Sequence, residues 1–223
     1  MIEIVSATRH SKTQFWAKTA LGQSLKRLEF DQRIASRIAF ENRRGLPEIY
    51  NERIQSPDSP EILVFIHDDV WLDDYWLSER LLEGLNRFDV LGVAGNRRRA
   101  PSQPGWFWIE EGVRDDVAHL SGAVAHGPNA GGEVVAFGFS ASECELLDGV
   151  MLAARKSRLR ELAVGFDPRF DFHFYDLDFC RTARQQGLRL GTWPIAITHQ
   201  SGGRIDDRWR QALQLYRAKW GEV

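Results

Sequence analysis

The stretch ILVFIHDDVWLDDYW, residues 62–76, combines a clear strand signal with a dense group of acids. Five apolar residues in a row, 62–66, predict a strand covered on both faces, which is typical of a parallel sheet. The strand runs directly into His67, Asp68 and Asp69. Acidic groups crowded at a strand end repel one another, and a bound cation or a catalytic role offsets that repulsion. This stretch therefore predicts a functional site at the end of a central strand.

The composition is that of an ordinary globular protein. The chain has 223 residues, of which 43% are hydrophobic and 27% charged, enough for the core of one α/β domain. The formal net charge of −2 argues against sequence-independent binding of nucleic acid. Only Cys144 and Cys180 occur, which excludes a disulfide framework and suits a reducing cytoplasm. The first ten residues have no basic segment followed by an apolar region, so we expect no signal peptide. No apolar run approaches the roughly 20 residues of a membrane span, so we expect no integral membrane segment.

Strand and helix patterns alternate along the chain, which predicts an α/β fold with a mostly parallel sheet flanked by helices. Strands are expected at 2–7, 62–66, 89–95, 145–155 and 192–199. Helices are expected at 14–28, at 45–55, from Asp73 or Asp74 to about 87, at 176–186 and after Asp206 or Asp207. Residues 33–40 fit either a helix or a strand. The segments 119–127 and 133–139 predict a hairpin, which would be a small antiparallel addition to the sheet.

Polar side chains stand at two strand ends and at one helix start. In an open α/β sheet the crevice beyond the strand ends binds ligands, so Asp69 and His199 can meet there. A carboxylate–imidazole pair suits Mn²⁺ or a similar divalent ion, and carboxylates with phosphate oxygens suit Mg²⁺. Asp176 opens a predicted helix, whose dipole favours the ionised carboxylate, while neighbouring aromatic side chains oppose ionisation. A carboxylate balanced in this way can act as a general base.

Several segments together resemble the successive signatures of family 2 glycosyltransferases. They are FIHDDVWL (65–72), LLDGVMLAARKSRL (146–159) and GFDPRFDFHFYDLDFCRTARQQGLRLGTWPIAITHQSGG (165–203), preceded by IVSATR (4–9) and GLPEIYNERI (45–54). The resemblance covers essentially the whole chain. It is closest to a compact branch in which histidine replaces the first acid of the D-x-D motif. It implies a GT-A fold, a nucleotide-sugar donor, a divalent metal and inversion at the anomeric carbon.

The resemblance also implies roles for individual residues. Asp69 would bind the metal that bridges the donor diphosphate, and His199 would join it there. Asp148 would lie near the donor sugar and the acceptor, and Asp176 would be the base that deprotonates the acceptor hydroxyl. The remaining implied contacts to the nucleotide or donor sugar are Ala7, Thr8, Arg9, Asn51, His67 and Asp68.

The same resemblance predicts an activity and its setting. The expected enzyme is a metal-dependent inverting glycosyltransferase that moves a sugar from a UDP-, GDP- or dTDP-linked donor to a saccharide or lipid-linked acceptor. Surface polysaccharide synthesis in the cytoplasm is implied, with a lipid-linked acceptor bringing the enzyme to the inner face of the membrane. One domain over 1–223 is expected, with a nucleotide-binding half at 1–95 and an acceptor and catalytic half at 134–223. Between them, 96–133 reads as a long loop or lid, in which Trp106–Trp108 fits either lid core or a stacking platform for an acceptor sugar.

Other interpretations compete with this one. A metal-dependent phosphoesterase or nucleotidyltransferase would use a similar Asp and His cluster, although the segment 6–13 has no glycine for a phosphate loop. A non-catalytic nucleotide- or sugar-binding module is favoured by two departures from the family pattern. His67 stands where aspartate is usual, and Tyr175 stands where a glutamate precedes the base. Asp178 is better explained structurally, as a helix cap or a partner of Arg181.

Overall fold

The computed structural model describes residues 1–203 and 205–221 and has α-helices on a framework of two larger sheets. The strands are β1 (Ile2–Ala7), β2 (Ile34–Ala39), β3 (Ile62–Ile66), β4 (Val70–Leu72), β5 (Val90–Gly92), β6 (Ala94–Asn96), β7 (Trp108–Glu110), β8 (Val113–Arg114), β9 (Leu120–His126), β10 (Glu133–Gly138), β11 (Glu143–Cys144), β12 (Leu146–Leu147), β13 (Met151–Arg155), β14 (Leu190–Thr192) and β15 (Ile197–His199). The helices are α1 (Lys12–Lys18), α2 (Ala20–Arg27), α3 (Leu46–Gln55), α4 (Leu77–Leu85), α5 (Lys156–Glu161), α6 (Tyr175–Gln185) and α7 (Asp207–Trp220). Among these described helices, none combines the length and the apolar character that a membrane span requires.

The larger sheet has the strand order β11-β14-β5-β13-β3-β1-β2. β1 pairs in parallel with β2 and β3, and β5 pairs in parallel with β14, whereas β13 runs antiparallel to β3 and β5. The predicted mostly parallel α/β sheet is therefore confirmed. All five residues of β3 are buried, as their uninterrupted apolar run predicts.

The second sheet has the order β12-β6-β9-β15-β4, and β10 pairs with β9. The expected hairpin is confirmed, because β9 and β10 are antiparallel with Val135 opposite Val124. β9 also pairs with β6 and β15, so a central strand lies within the segment 96–133. Sequence patterning missed this role because β9 contains small residues and a glycine. Gly122 has φ of +90°, and a Cβ atom there would lie 2.0 Å from the Val93 carbonyl oxygen.

Three strand predictions and two helix predictions were wrong in their bounds. The strands expected at 89–95, 145–155 and 192–199 are each divided between the two sheets, into β5 and β6, β12 and β13, and β14 and β15. The expected helix at 14–28 is broken at Thr19, whose hydroxyl accepts from the Gly22 N–H and starts α2. The helix expected from Asp73 or Asp74 begins only at Leu77. Asp74 accepts instead from the Trp76 N–H at 2.8 Å, so it forms a turn before the helix. Residues 33–40, which fitted either pattern, contain β2.

Helix α7 packs on the start of α6 and thereby fixes the segment that carries Asp176. Asp206 caps α7 as predicted, accepting from the Trp209 N–H at 3.0 Å. Phe174, the residue before α6, has φ of +65°, a strained conformation for a bulky side chain. Its ring packs against Trp209 and Tyr216 of α7, each with ring centroids 5.3 Å away. The packing of α7 therefore stabilises the strained turn.

Candidate active site

Three potential metal ligands converge between the two sheets. One ligand atom each from His67, Asp69 and His199 lie within 4.8 Å of one another. Asp69 Oδ1 is 3.3 Å from His199 Nε2. The backbone explains this meeting: β4 pairs with β15 so that Val70 lies opposite His199, and the Gln200 N–H donates to the Asp69 carbonyl at 3.0 Å. The short turn from β3 into β4 therefore brings residues 67–69 to the end of β15.

The electrostatics of the cluster keep Asp69 ionised and His67 neutral. Burial acts to raise the pKa of Asp69, but the hydrogen bond and the charge of His199 lower it to about 2. Burial lowers the pKa of His67, more than the charge of Asp69 raises it, so its imidazole is neutral near pH 7. Burial also opposes protonation of His199, yet the hydrogen bond and charge of Asp69 raise its pKa. An ionised carboxylate and a neutral imidazole are the states that bind a divalent cation, so Asp69 and His67 are ready to bind one, whereas a proton competes with the cation at His199.

Tyr175 holds His67 in one orientation. The Tyr175 hydroxyl donates to the Gly149 carbonyl at 2.7 Å, and His67 Nε2 lies 2.9 Å from the same hydroxyl oxygen. Since the hydroxyl proton is used by Gly149, His67 must donate through Nε2–H. The lone pair of His67 then resides on Nδ1, the nitrogen left for a ligand.

A pair of carboxylates lies beside this network. Asp176 Oδ2 accepts from the Gly149 N–H at 2.8 Å, and Asp148 Oδ1 accepts from the Val150 N–H at 3.0 Å. Burial, followed by the negative charge of Asp148, raises the pKa of Asp176 to about 7. Glycine at 149 is required sterically, because a Cβ atom there would lie 2.6 Å from the Tyr175 hydroxyl and 2.7 Å from Asp176 Cβ. A carboxylate with a pKa near 7 is suited to proton transfer at neutral pH.

A single cavity of about 880 Å³ joins these groups. Its polar lining includes His67, Asp148, Asp176 and His199, so two of the three potential metal ligands and the carboxylate with the raised pKa face one space. Asp69 is not part of this lining. Trp106–Trp108 also line it, along with aromatic residues from the loop before α6 and from α7. Burial fits the interpretation as lid core for Trp106, and a stacking platform for an acceptor sugar stays a prediction. Trp106 is buried, while Phe107 and Trp108 are only partly covered.

The residues expected to contact the nucleotide at the first strand lie outside the lining of this cavity. Ala7 ends β1 and pairs with Ala39. Thr8 is buried and its hydroxyl accepts from the His10 N–H at 3.2 Å. Arg9 is exposed. Their contact with a nucleotide stays a prediction.

Asn51 and Asp68 occupy different settings. The Asn51 amide donates to the Phe166 carbonyl at 2.7 Å and accepts from the Phe166 N–H at 2.9 Å. These two bonds join α3 to the backbone of the segment before α6. Asp68 has a half-buried side chain, and its carbonyl accepts from the Leu21 N–H at 3.2 Å. A role of either side chain in binding the donor stays a prediction.

Two further residues lie next to the cluster. His126 received no role from the sequence, and Phe172 was expected only as one of the aromatic side chains that exclude water from Asp176. His126 lies opposite His199 in the parallel pairing of β9 and β15, with ring centroids 6.2 Å apart. The Phe172 ring stacks on His67 at 5.4 Å and 26°, and it is 51% exposed. His126 ends a predicted strand in the same way as His199, so its strand-end position was a usable signal. Phe172 lies in an irregular loop that no periodicity describes.

The tertiary structure resembles solved glycosyltransferases. A mannosyltransferase from Pyrobaculum calidifontis, in complex with GDP-Man and Mn²⁺, matches with a TM-score of 0.56 and 12% identity, over 100% of this chain and 64% of its own. The catalytic domain of Drosophila β1,4-galactosyltransferase 7, in complex with xylobiose, matches with a TM-score of 0.53 and 9% identity. The match covers 96% of this chain and 79% of that domain's chain. GalNAc-T7 with UDP, GalNAc and Mn²⁺ matches with a TM-score of 0.56 and 10% identity. The match covers 100% of this chain and 49% of the GalNAc-T7 chain.

The chain has the GT-A fold. The expected fold class is therefore confirmed, with the mostly parallel sheet, flanking helices and small antiparallel addition. The chain spans less than two thirds of the length of the mannosyltransferase and of GalNAc-T7. No protein-family model matches the sequence, and no curated protein matches it significantly. At these low identities the likeness establishes the fold, and the activity has to be argued from the site.

Proposed function

We propose that the chain is a metal-dependent inverting glycosyltransferase of the family 2 type. It would move a sugar from a UDP-, GDP- or dTDP-linked donor to a hydroxyl of a saccharide or lipid-linked acceptor. One observation carries the proposal: in a GT-A fold, His67 and His199, which cluster with Asp69, line the same cavity as Asp176, whose pKa is raised. Mn²⁺ with GDP-Man, and Mn²⁺ with UDP and GalNAc, in two of the similar structures support a nucleotide-sugar donor.

The donor set fits a divalent cation. Asp69 offers a carboxylate oxygen, while His67 and His199 offer imidazole nitrogens, a combination that suits Mn²⁺ and other borderline ions better than Ca²⁺. The hydrogen bond from His67 Nε2–H to Tyr175 leaves Nδ1 free for the ion. When bound, the cation supplies Lewis-acid stabilisation of the negative charge that develops on the leaving diphosphate. The protein contributes preorganised ligands at the junction of its two sheets.

Asp176 is proposed as the general base. Its Oδ2 is occupied by the Gly149 N–H, so Oδ1 is the oxygen that can accept the proton of the acceptor hydroxyl. As that proton moves to Asp176, the acceptor oxygen forms a bond to the anomeric carbon and the bond from that carbon to the diphosphate breaks. Attack from the face opposite the leaving group inverts the configuration and needs no covalent enzyme intermediate. Burial, followed by the negative charge of Asp148, keeps the pKa of Asp176 near 7.

The two departures from the family pattern are in direct contact, which supports an active site over a degenerate binding module. His67 and Tyr175 lie 108 residues apart in sequence and share a 2.9 Å hydrogen bond. Where the family pattern has an aspartate and a glutamate, this chain therefore has a neutral imidazole ligand and the hydroxyl that orients it. A hydrogen bond that sets the tautomer of a metal-ligating histidine is a recurrent feature of metal sites.

The organisation of the chain follows from this assignment. In the proposal, residues 1–95 form the nucleotide-binding half, with Ala7–Arg9 at the end of β1 beside the base. Residues 134–223 form the acceptor and catalytic half, and 96–133 the segment between them. A place in cytoplasmic surface polysaccharide synthesis, at the inner face of the membrane where the acceptor is lipid-linked, is part of the same proposal and comes from the sequence resemblance.

Ligand binding tests the proposal directly. UDP, GDP, dTDP and CMP are titrated into the protein by calorimetry, each with Mn²⁺, with Mg²⁺ and with EDTA. We expect one nucleoside diphosphate to bind in a metal-dependent manner, and Asp69→Asn to weaken that binding at least tenfold. Asp207→Asn is the matched control, because the Asp207 side chain is 94% exposed and lies outside the cavity. Equal affinity of the wild-type protein with Mn²⁺ and with EDTA would refute the metal-dependent mechanism.

Turnover with the matching nucleotide sugars then tests the chemistry. The anomeric configuration of the product is read by NMR, and inversion is expected. Retention of configuration, or release of phosphate in place of glycoside formation, would contradict the proposal.

A further inference from the structure

The cavity lining contains two kinds of side chain. Its polar side chains are His67, His126, Asp148, His173, Tyr175, Asp176, His199 and Ser201. The remaining lining is mostly apolar and strongly aromatic, and the consecutive residues 106–108 are part of it. Apolar lining with a few convergent polar groups is typical of sites that bind organic ligands, in which the polar groups fix orientation.

The aromatic wall, defined as Trp106, Phe107 and Trp108, is preorganised. Neighbouring rings in the wall have centroids 4.9 Å apart, first from Trp106 to Phe107 and then from Phe107 to Trp108. Trp106 is buried and meets Phe137 edge to face at 4.7 Å. The Phe107 carbonyl accepts from the Asp115 N–H at 2.8 Å, which fixes the backbone of the wall. A rigid wall loses little conformational entropy when a ligand packs against it.

The cavity lining has no lysine or arginine within the part of the chain that the structure describes, 1–203 and 205–221. Arg114 of β8, opposite Trp108 in the β7–β8 pair, stacks its guanidinium on the Phe137 ring at 5.2 Å and is not part of the lining. An anionic group placed against the aromatic wall would therefore meet no lysine or arginine within the described lining. A neutral apolar group placed there would exclude water from Phe107 and Trp108, whose rings are only partly covered.

The size of the cavity leaves room for such a group. Ala7, Thr8 and Arg9, the predicted nucleotide contacts, are absent from its lining, so the volume of about 880 Å³ is shared by the diphosphate at His67 and His199, the transferred sugar and the acceptor. This volume lies within the roughly 300–1,000 Å³ of sites that enclose drug-sized ligands.

We propose that the acceptor is an uncharged glycoside with an apolar aglycone. Its reacting hydroxyl faces Asp176, and its alkyl or aryl group packs against the aromatic wall formed by Trp106, Phe107 and Trp108. This inference rests on the proposed glycosyltransferase function, since it assigns the second substrate of the same site. Aromatic faces suit both an alkyl chain and an aryl ring, so the shared chemistry is an apolar group attached to a neutral sugar.

Matched neutral glycosides test this proposal. Methyl, phenyl and octyl β-glucosides and β-galactosides, each below its micellar concentration, are titrated into the Mn²⁺-loaded protein by calorimetry, with and without UDP. Burial of the aglycone on the wall should make the phenyl or octyl compound bind at least about tenfold tighter than the methyl compound of the same sugar. A preference for octyl identifies a lipid-like aglycone, a preference for phenyl identifies an aromatic one, and either result supports the proposal.

Variants locate the binding to the wall. Trp108→Ala should abolish the preference for the apolar glycoside, and Trp108→Phe should keep part of it. Trp76→Ala is the matched control, because Trp76 is 64% exposed and lies outside the cavity. That variant should bind every glycoside as the wild type does. Melting temperatures of all the variants identify any loss of folding.

The failures of the two proposals are distinguishable. Equal affinity for methyl, phenyl and octyl glycosides, with metal-dependent binding of a nucleoside diphosphate intact, would overturn the acceptor inference alone. Displacement of the phenyl glycoside by UDP would make the wall a nucleobase platform and would also overturn it. A preference for apolar glycosides that depends on Trp108, without binding or turnover of any nucleotide, would overturn the proposed function and with it the role of acceptor.

Discussion

The pKa of Asp176 links turnover to stability. The folded state holds the proton of this carboxyl up to a pH of about 7, whereas the usual pKa is 3.8. Between these values the folded state binds more protons than the unfolded state, so its contribution to the free energy of unfolding falls as pH rises. Above pH 7 the ionised, buried carboxylate therefore destabilises the fold. This is the expected signature of a group kept for chemistry.

Asp176→Asn should accordingly remove turnover and increase stability. The gain in the free energy of unfolding should be near zero at pH 4 and about 2–4 kcal/mol at pH 8, from urea titrations at both values. Wild-type kcat should rise with pH through about 7, as the base deprotonates. The exposed Asp207→Asn variant should match the wild type in both measurements. A turnover of Asp176→Asn close to that of the wild type would exclude the residue as the base.

Tyr175→Phe isolates the hydroxyl that orients His67. The variant keeps the ring and removes only the oxygen that lies 2.9 Å from His67 Nε2. Loss of such an orienting partner typically weakens metal binding by about 10–100-fold, so we expect Mn²⁺ affinity to fall by that factor in calorimetry. Tyr75→Phe, at a side chain that is 56% exposed, is the control and should bind Mn²⁺ normally. Unchanged affinity in Tyr175→Phe would indicate that His67 is not a ligand.

At the scale of elements, α7 holds the start of α6 through a buried ion pair. The Asp178 side chain is 1% exposed, and the Lys219 ammonium lies 2.7 Å from its Oδ1. The Trp220 indole N–H donates to the same oxygen at 3.0 Å. Asp178 is thus structural, as the sequence suggested, with partners from α7 that the local pattern could not identify. This pair keeps α7 against the strained turn at Phe174 and so positions the neighbouring base.

Lys219→Met should destabilise the fold, because Asp178 and Lys219 form a buried ion pair. It leaves the Asp178 carboxylate buried without its cation, which typically lowers the free energy of unfolding by about 3–5 kcal/mol. Lys18→Met, at an exposed helix position, should change it by only a few tenths. Adding Asp178→Asn to Lys219→Met should recover part of the loss, because the amide carries no charge. Chemical denaturation measures all four proteins, and a Lys219→Met variant as stable as the wild type would contradict this account of α7.

The type of most local elements was predictable from the sequence, but the breaks that divide 89–95, 145–155 and 192–199 between the two sheets, and the partners of the elements, were not. The apolar run of β3 and the alternation of the hairpin were readable because burial imposes a period on the residues. β9 was harder to place, because close packing of its backbone against neighbouring strands requires small residues and Gly122, and these residues carry no hydrophobic period. The helix start at Leu77 was misjudged because Asp73 is used across the fold, where it accepts from the Thr198 hydroxyl at 2.5 Å. A contact of that kind has no local signal.

In the candidate site, too, some contacts could be predicted from the sequence and others could not. The pairing of Asp69 with His199 could be expected because both follow strands. The contact of His67 with Tyr175 could not, since it joins the end of β3 to the start of α6 across 108 residues. The aromatic stacking of Phe172 on His67 depends on an irregular loop and was equally out of reach. Sequence therefore identified chemical groups, and tertiary structure determined which of them act together.

On the scale of the whole molecule, the candidate ligands join the two sheets. His67 follows β3 of the larger sheet, and its N–H donates to the Val150 carbonyl at 3.3 Å. His199 ends β15 of the second sheet. A cation held by both histidines and Asp69 would therefore cross-link the sheets. Ligand binding to the folded state alone stabilises it by mass action, by about 2.7 kcal/mol at a concentration of 100 Kd.

Mn²⁺ should therefore protect both sheets together. In hydrogen exchange, amides of β3 and of β15 should slow by a similar factor when Mn²⁺ is added, because opening either sheet breaks the same site. His199→Ala should fold without Mn²⁺ and lose this protection in both strands. His119→Ala, outside the cavity, should retain it. Protection confined to β3 would mean that residues 67–69 alone hold the ion. The junction of the two sheets would then be stabilised by packing and not by a metal.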